Sequence, residues 1–165
     1  MPASLTLRGL LRLALPIVAI LLLTSCSGRG PVRRVSQPAA SLQQLTVRAD
    51  GRWELQLRLN NYSSMPMRFT AVRLDLRFDN GAAAHIEAQP NLEIGPESAD
   101  THVTTLAPTP AGMARLATAL ADGHGLSYTL EGSVQATPEG AGAKDWKVKA
   151  SSALSPVPGL PGTLR

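Results

Sequence analysis

The sequence predicts an all-β domain, an antiparallel β-sandwich carrying one short helix. Three observations carry this expectation. Apolar residues recur with a period of two in run after run. The runs are short and punctuated by turn dipeptides such as Asp50-Gly51 and Asn80-Gly81, and a helical period occurs in only one segment, about 110–122. Alternating runs with one polar face each fit sheets packed on one side and solvated on the other.

The elements follow in order. Leu45 and Val47 alternate with Thr46 and Arg48, and after Asp50-Gly51 come Trp53, Leu55, Leu57 and Leu59. Two alternating runs joined by Asp-Gly predict a hairpin with a type I′ turn, in which both central residues take positive φ. The next run has Val72, Leu74, Leu76 and Phe78 on one face, with Arg73, Asp75, Arg77 and Asp79 on the other. Met67, Phe69 and Ala71 lie in the opposite phase, so a bulge near Ala71-Val72 is expected to keep both sets inside. Asn80-Gly81 predicts the second turn. Shorter runs follow: Ala84, Ile86 and Ala88, then Leu92 and Ile94, then a stretch around Val103. Late in the chain Leu126, Tyr128, Leu130, Val134 and Ala136 alternate with polar neighbours. Their expected partner carries Trp146, Val148 and Ala150, across the Gly-rich loop. Trp53 and Trp146 are both expected in the core.

Thr109-Pro110 predicts a helix N-cap with proline at the first helical position, and Gly123 predicts its C-terminal stop. Met113, Leu116, Ala117 and Leu120 form the expected apolar face between them.

The two ends read differently. Arg8 and Arg12 precede an apolar run, Leu13–Leu23, broken only by Pro16, and no acidic residue occurs before Asp50. That run has the length of a secretory h-region and falls short of the roughly 20 residues a membrane span needs. The small residues Thr24 and Ser25 then lead to Cys26, the only cysteine of the chain. Leu23-Thr24-Ser25-Cys26 resembles the bacterial lipobox, whose cysteine is acylated and becomes the new N-terminus. The resemblance implies removal of residues 1–25 and lipidation at Cys26. Ser27 after the cysteine implies sorting to the inner leaflet of the outer membrane, facing the periplasm. Residues 26–40, mixing Gly, Pro, Ser and Arg, are expected to be a tether to a domain at 41–155, and 156–165, rich in Pro and Gly, a trailing tail.

Loss of the leader leaves 14 of the 16 basic residues against 12 acidic ones, so the formal charge falls from +4 to about +2. Basic residues are scattered and aromatics few, so no nucleic-acid partner is expected. His85, His102 and His124 stand 17 and 22 residues apart, without the close spacing of a preformed metal site, and are expected at the surface. No nucleophile elbow, phosphate loop or dinucleotide fingerprint occurs. The expectation is no catalytic residue, no cofactor and no metal. The Asn61-Tyr62-Ser63 sequon is idle in a bacterial lipoprotein, and Tyr62 is expected at a turn.

The layout also resembles a family. In late embryogenesis abundant type 2 proteins, including the water-stress and hypersensitive-response domain, a strand of alternating aliphatics and an Asn-Pro-Asn-like turn precede a second long strand ending in Asn-Gly. "WELQLRLNNYSSMPMRFTAVRLDLRFDNG" follows that pattern; a short helical insert, "YTLEGSVQA" and "SALSPVPGLPG" continue it. Asn60-Asn61-Tyr62-Ser63 lacks the proline usual in the family's turn. The resemblance implies an immunoglobulin- or fibronectin-III-like sandwich, no catalytic positions and a link to desiccation and stress tolerance. It suggests a membrane-anchored protective protein. The other reading is a binding or adaptor module for a lipid or an envelope assembly partner.

Overall fold

Alternation of large aliphatics with polar residues is satisfied when two sheets bury their apolar faces against each other, and the chain does this. A computed structural model describes residues 33–165. The expected leader, Cys26 and the first part of the tether lie outside the described residues. Nine strands and one helix follow in order: β1 (Ala39–Val47), β2 (Trp53–Asn61), β3 (Met67–Phe78), β4 (Gly81–Ala88), β5 (Leu92–Ile94), β6 (Ser98–Leu106), α1 (Pro110–Asp122), β7 (Leu126–Pro138), β8 (Lys144–Leu154) and β9 (Thr163–Leu164). One sheet has the order β6-β2-β1-β9. The other runs β4-β3-β7-β8, with β5 also paired to β3. The neighbour orders β1-β2-β6 and β3-β7-β8 are those of strands A-B-E and C-F-G in an immunoglobulin-type sandwich.

The predicted faces hold. Trp53, Leu55, Leu57 and Leu59 are fully buried, as are Val72, Leu74, Leu76, Leu130 and Val134. The Trp53 and Phe78 rings meet with centroids 5.7 Å apart. The β3 bulge falls between Phe69 and Ala71. At that point β3 also changes partners: Val72–Phe78 pair with β4, and Met67–Phe69 pair with β5. A second bulge, between Leu42 and Gln44, interrupts the β1–β2 ladder. There the Tyr128 hydroxyl accepts from Leu42 N and donates to Leu42 O, both at 3.1 Å, tying the two sheets together through the core.

Several expectations are corrected. The Asp50-Gly51 connection is not type I′: only Gly51 has positive φ, 80°, with Gly51 N donating to Arg48 O and Arg48 N to Arg52 O. This is a longer hairpin closed by a glycine bulge. The second turn, expected at Asn80-Gly81, sits one residue earlier and has the type I′ geometry, at Asp79 (φ 45°) and Asn80 (φ 70°), because Phe78 pairs with Gly81. The helix has its expected caps, Thr109 and left-handed Gly123, but buries Gly112, Leu116 and Ala119. Met113 points outward, 49% exposed. Val103 is exposed because β6 is an edge strand whose inward positions, opposite Leu57 and Leu55, are His102 and Thr104.

The ends differ most from expectation. Residues 156–165 do not trail off: β9 pairs with β1, Pro156 bridges Leu164, and Leu164 is fully buried. Trp146 is only half-buried, because β8 is the outer strand of its sheet. The Lys144 ammonium lies 4.0 Å from its ring centroid, and its shielded indole N–H has no acceptor among the described residues.

Candidate functional site

The most organised polar cluster lies at the end of the sandwich where β2 turns into β3. Asn61, the last residue of β2, is fully buried. Its Nδ2 donates to the carbonyls of Met65 at 2.8 Å, Ile94 at 3.0 Å and Gly95 at 2.9 Å. Its Oδ1 accepts from Ser63 N at 2.9 Å. One amide thus ties the β2–β3 turn to the β5–β6 turn, and a buried amide so fully satisfied rigidifies what it joins.

The segment before β1 is laid onto this platform. Ser36 N donates to Ser63 Oγ at 3.0 Å and Arg34 N to Ser64 Oγ at 2.8 Å, while Ser64 N donates to Arg34 O at 3.0 Å. The Arg34 guanidinium reaches Glu97 at 2.9 Å and Tyr62 O at 3.3 Å; Arg33 reaches Glu139 at 3.3 Å. Residues 33–37 therefore form a strap, where the sequence predicts a free tether extending to Ala40. Periodicity could not disclose this, because the strap is held by partners 27 to 110 residues away.

A broad, shallow depression of about 740 Å³ lies on the outer face of the β4-β3-β7-β8 sheet. Its floor is Gly132, where an added Cβ would run into the Arg73 carbonyl, so the sheet surface dips there. Polar and charged walls surround it: the His85 ring hydrogen-bonds Asp75 at 2.8 Å, and opposite charges pair across strands, Lys149 with Glu131 and Arg73 with Glu87 at 3.7 Å. The Lys149 hydrogen bond and charge hold the Glu131 carboxyl below the usual carboxylate range. Cross-strand pairs of opposite charge stabilise register. All these side chains are well exposed, and no nucleophile, base and orienting group converge in the depression.

Cys26, the single site residue the sequence nominates, lies outside the described residues. His85 and His124 are exposed, His102 is half-buried, and the three are not brought together. Among the described residues no group of three metal-ligating side chains occurs, and no helix is long and apolar enough to cross a membrane.

No family model matches the chain, and no curated protein matches it. Among solved structures it is similar to a crystal structure of an Archaeoglobus fulgidus protein, at 15% identity and TM-score 0.41, over 75% of this chain and 98% of that one. It is also similar to the solution structure of an Arabidopsis thaliana protein, at 8% identity and TM-score 0.48, over 78% of this chain and 83% of that one. A Bordetella pertussis protein described as ApaA is similar at 12% identity and TM-score 0.46, over 76% of this chain and 97% of that one.

Proposed function

We propose that this chain is a non-enzymatic lipoprotein of the bacterial envelope, anchored through an acylated Cys26, whose sandwich protects membrane or neighbouring proteins during water stress. The observation that carries the anchoring is the sequence Leu23-Thr24-Ser25-Cys26 at the end of a short apolar run. Several acyl chains hold firmly where one holds loosely, since each buried methylene contributes about 0.8 kcal/mol. The protective role is analogy with the late embryogenesis abundant type 2 pattern of β2, β3 and their Asn-rich turn, and a fold of this kind hosts many functions.

Two measurements test this reading. Fractionation of cells expressing the full chain should find it in the outer membrane, and Cys26→Ser should release it to the soluble fraction; unchanged partitioning would overturn the anchor. For protection, a labile enzyme is dried with the domain starting at Ser27, or with an unrelated β-sandwich at equal mass. Excess activity after rewetting supports the role, and parity with the control removes it.

A second reading, an adaptor for an envelope partner or lipid, is favoured by β6. This nine-residue edge strand pairs only with β2 and contains neither lysine nor proline, the residues that commonly guard an edge. An extended partner segment could add to it. Crosslinking that captures one specific envelope protein, lost when Val103 is replaced by Lys, would favour this reading.

A further inference from the structure

The strap fixes which end of the domain receives the chain from Cys26. Six residues lie between Cys26 and Arg33. Fully extended, the seven steps from Cys26 to Arg33 reach at most about 25 Å. A free tether continuing to Ala40 would about double that reach and let the sandwich tumble. The hydrogen bonds of Arg34 and Ser36 to Ser64 and Ser63 instead end the tether at the β2–β3 turn. An anchor at Cys26 therefore holds the strap end of the domain next to the bilayer. The sandwich is longer than this leash, since the 12 residues of β3 alone span about 40 Å.

The surface presented there suits a headgroup layer. Tyr62, 53% exposed, and Val35, 45% exposed, both belong to this end: Tyr62 O accepts from Arg34, and Val35 lies between Arg34 and Ser36 in the strap. Tyr62 is the only aromatic among the strongly exposed large apolar side chains of the described residues. Tyrosine is at home where an apolar body and a polar tip meet the interface. The arginines at this end are each matched by a glutamate, Arg33 by Glu139, Arg34 by Glu97 and Arg68 by Glu93. The surface is thus close to neutral, so contact would come from tethering and the apolar side chains and would be little affected by salt.

Resting on the reading that Cys26 is lipidated, we propose that the strap end of the sandwich, with Tyr62 and Val35 foremost, lies against the phospholipid headgroups. Helix α1 and the β3–β4 hairpin then point away from the membrane and are free to meet partners or clients.

The test uses the full lipidated chain in phosphatidylethanolamine/phosphatidylglycerol vesicles. With Cys26 acylated, an introduced cysteine is the only thiol. A fluorophore is placed in turn at Tyr62→Cys and Glu139→Cys on the strap end, and at Asp50→Cys and Asp122→Cys on the far end. Quenching by headgroup-spin-labelled lipid should be at least threefold greater at the two strap-end positions, and should persist in 0.5 M salt. Equal quenching at both ends, in protein that floats with the vesicles, overturns the orientation and leaves the anchor standing. Flotation that Cys26→Ser does not abolish overturns the anchor, and the orientation falls with it. Using two sites per end keeps a local perturbation at either one from deciding the result.

Discussion

At the far end of the sandwich the β1–β2 turn closes its backbone hydrogen bonds within five residues, at Arg48–Arg52, and the turns there take only single side-chain contacts from elsewhere, Arg115 to Asp79 and Arg52 to Thr105 O. At the strap end the turns are held by side chains that reach across the sequence: Asn61 to Ile94 and Gly95, Ser63 to Ser36, Arg33 to Glu139. Backbone turns are specified locally, and each fails alone. A side-chain hub is specified jointly, so its loss should loosen three connections together. The difference teaches that one sandwich can combine modular turns at one end with a cooperative fastening at the other, where the chain arrives from its expected anchor.

Asn61→Ala is the largest way to break this contrast. The substitution removes four hydrogen bonds and leaves buried carbonyls and an amide without partners, at about 2–4 kcal/mol in chemical denaturation. Amide exchange should rise in the strap, the β2–β3 turn and the β5–β6 turn at once, and stay unchanged in the β3–β4 hairpin. Faster exchange confined to the β2–β3 turn would mean that the strap end is as modular as the far end.

The same distinction explains how much of the molecule was legible beforehand. Strand faces, the β3 bulge, the helix caps and the two far-end reversals follow from spacing within a few residues. Even there the turn details are not legible: Asp50-Gly51 predicts type I′ and forms a longer glycine-bulge hairpin, and the second turn centres on Asp79-Asn80 because Gly81 already belongs to β4. Asn61 looked like part of an idle sequon, since nothing local distinguishes a buried amide hub from an exposed one. Two of its partners, Ile94 O and Gly95 O, lie 33 and 34 residues away. The tail misled for a like reason: Pro and Gly flank Thr163 and Leu164, which nonetheless complete the β1 edge and bury Leu164. Trp146 shows that apolar phase does not tell a central strand from an outer one.

Gly112→Ala tests whether the far end also depends on a long-range contact. Helix propensity alone says the change should stabilise α1 by up to about 1 kcal/mol. In the fold a Cβ at Gly112 would lie 2.5 Å from Ala83 O, backbone that cannot swing aside. The expected outcome is a loss of about 2 kcal/mol, in the range for overpacking, with α1 displaced from β4. A gain in thermal stability would show that the helix rides loosely on the sheet.

Gly51→Ala isolates the cost of a turn. An added Cβ there meets nothing within 4 Å, so only the φ of 80° opposes it. The loss should be about 1 kcal/mol. It should leave exchange at the strap unaltered. Spread of the effect to Asn61 would contradict the independence of the two ends.

Arg34→Ala sharpens the comparison through its smallest effect. The Arg34–Glu97 pair is exposed, 60% and 66% on its two side chains, and such pairs contribute about 0–1 kcal/mol, screened by salt. Global stability should therefore change by less than about 0.5 kcal/mol. The backbone bonds of Arg34 to Ser64 do not use its side chain. Exchange at Ser36, whose N–H is held by Ser63, should accordingly stay protected. If protection at Ser36 collapses while global stability holds, the guanidinium is the fastener and the serines merely follow it. If protection persists, the strap is sewn down by its backbone onto the platform that Asn61 builds, and its grip on the domain is insensitive to salt.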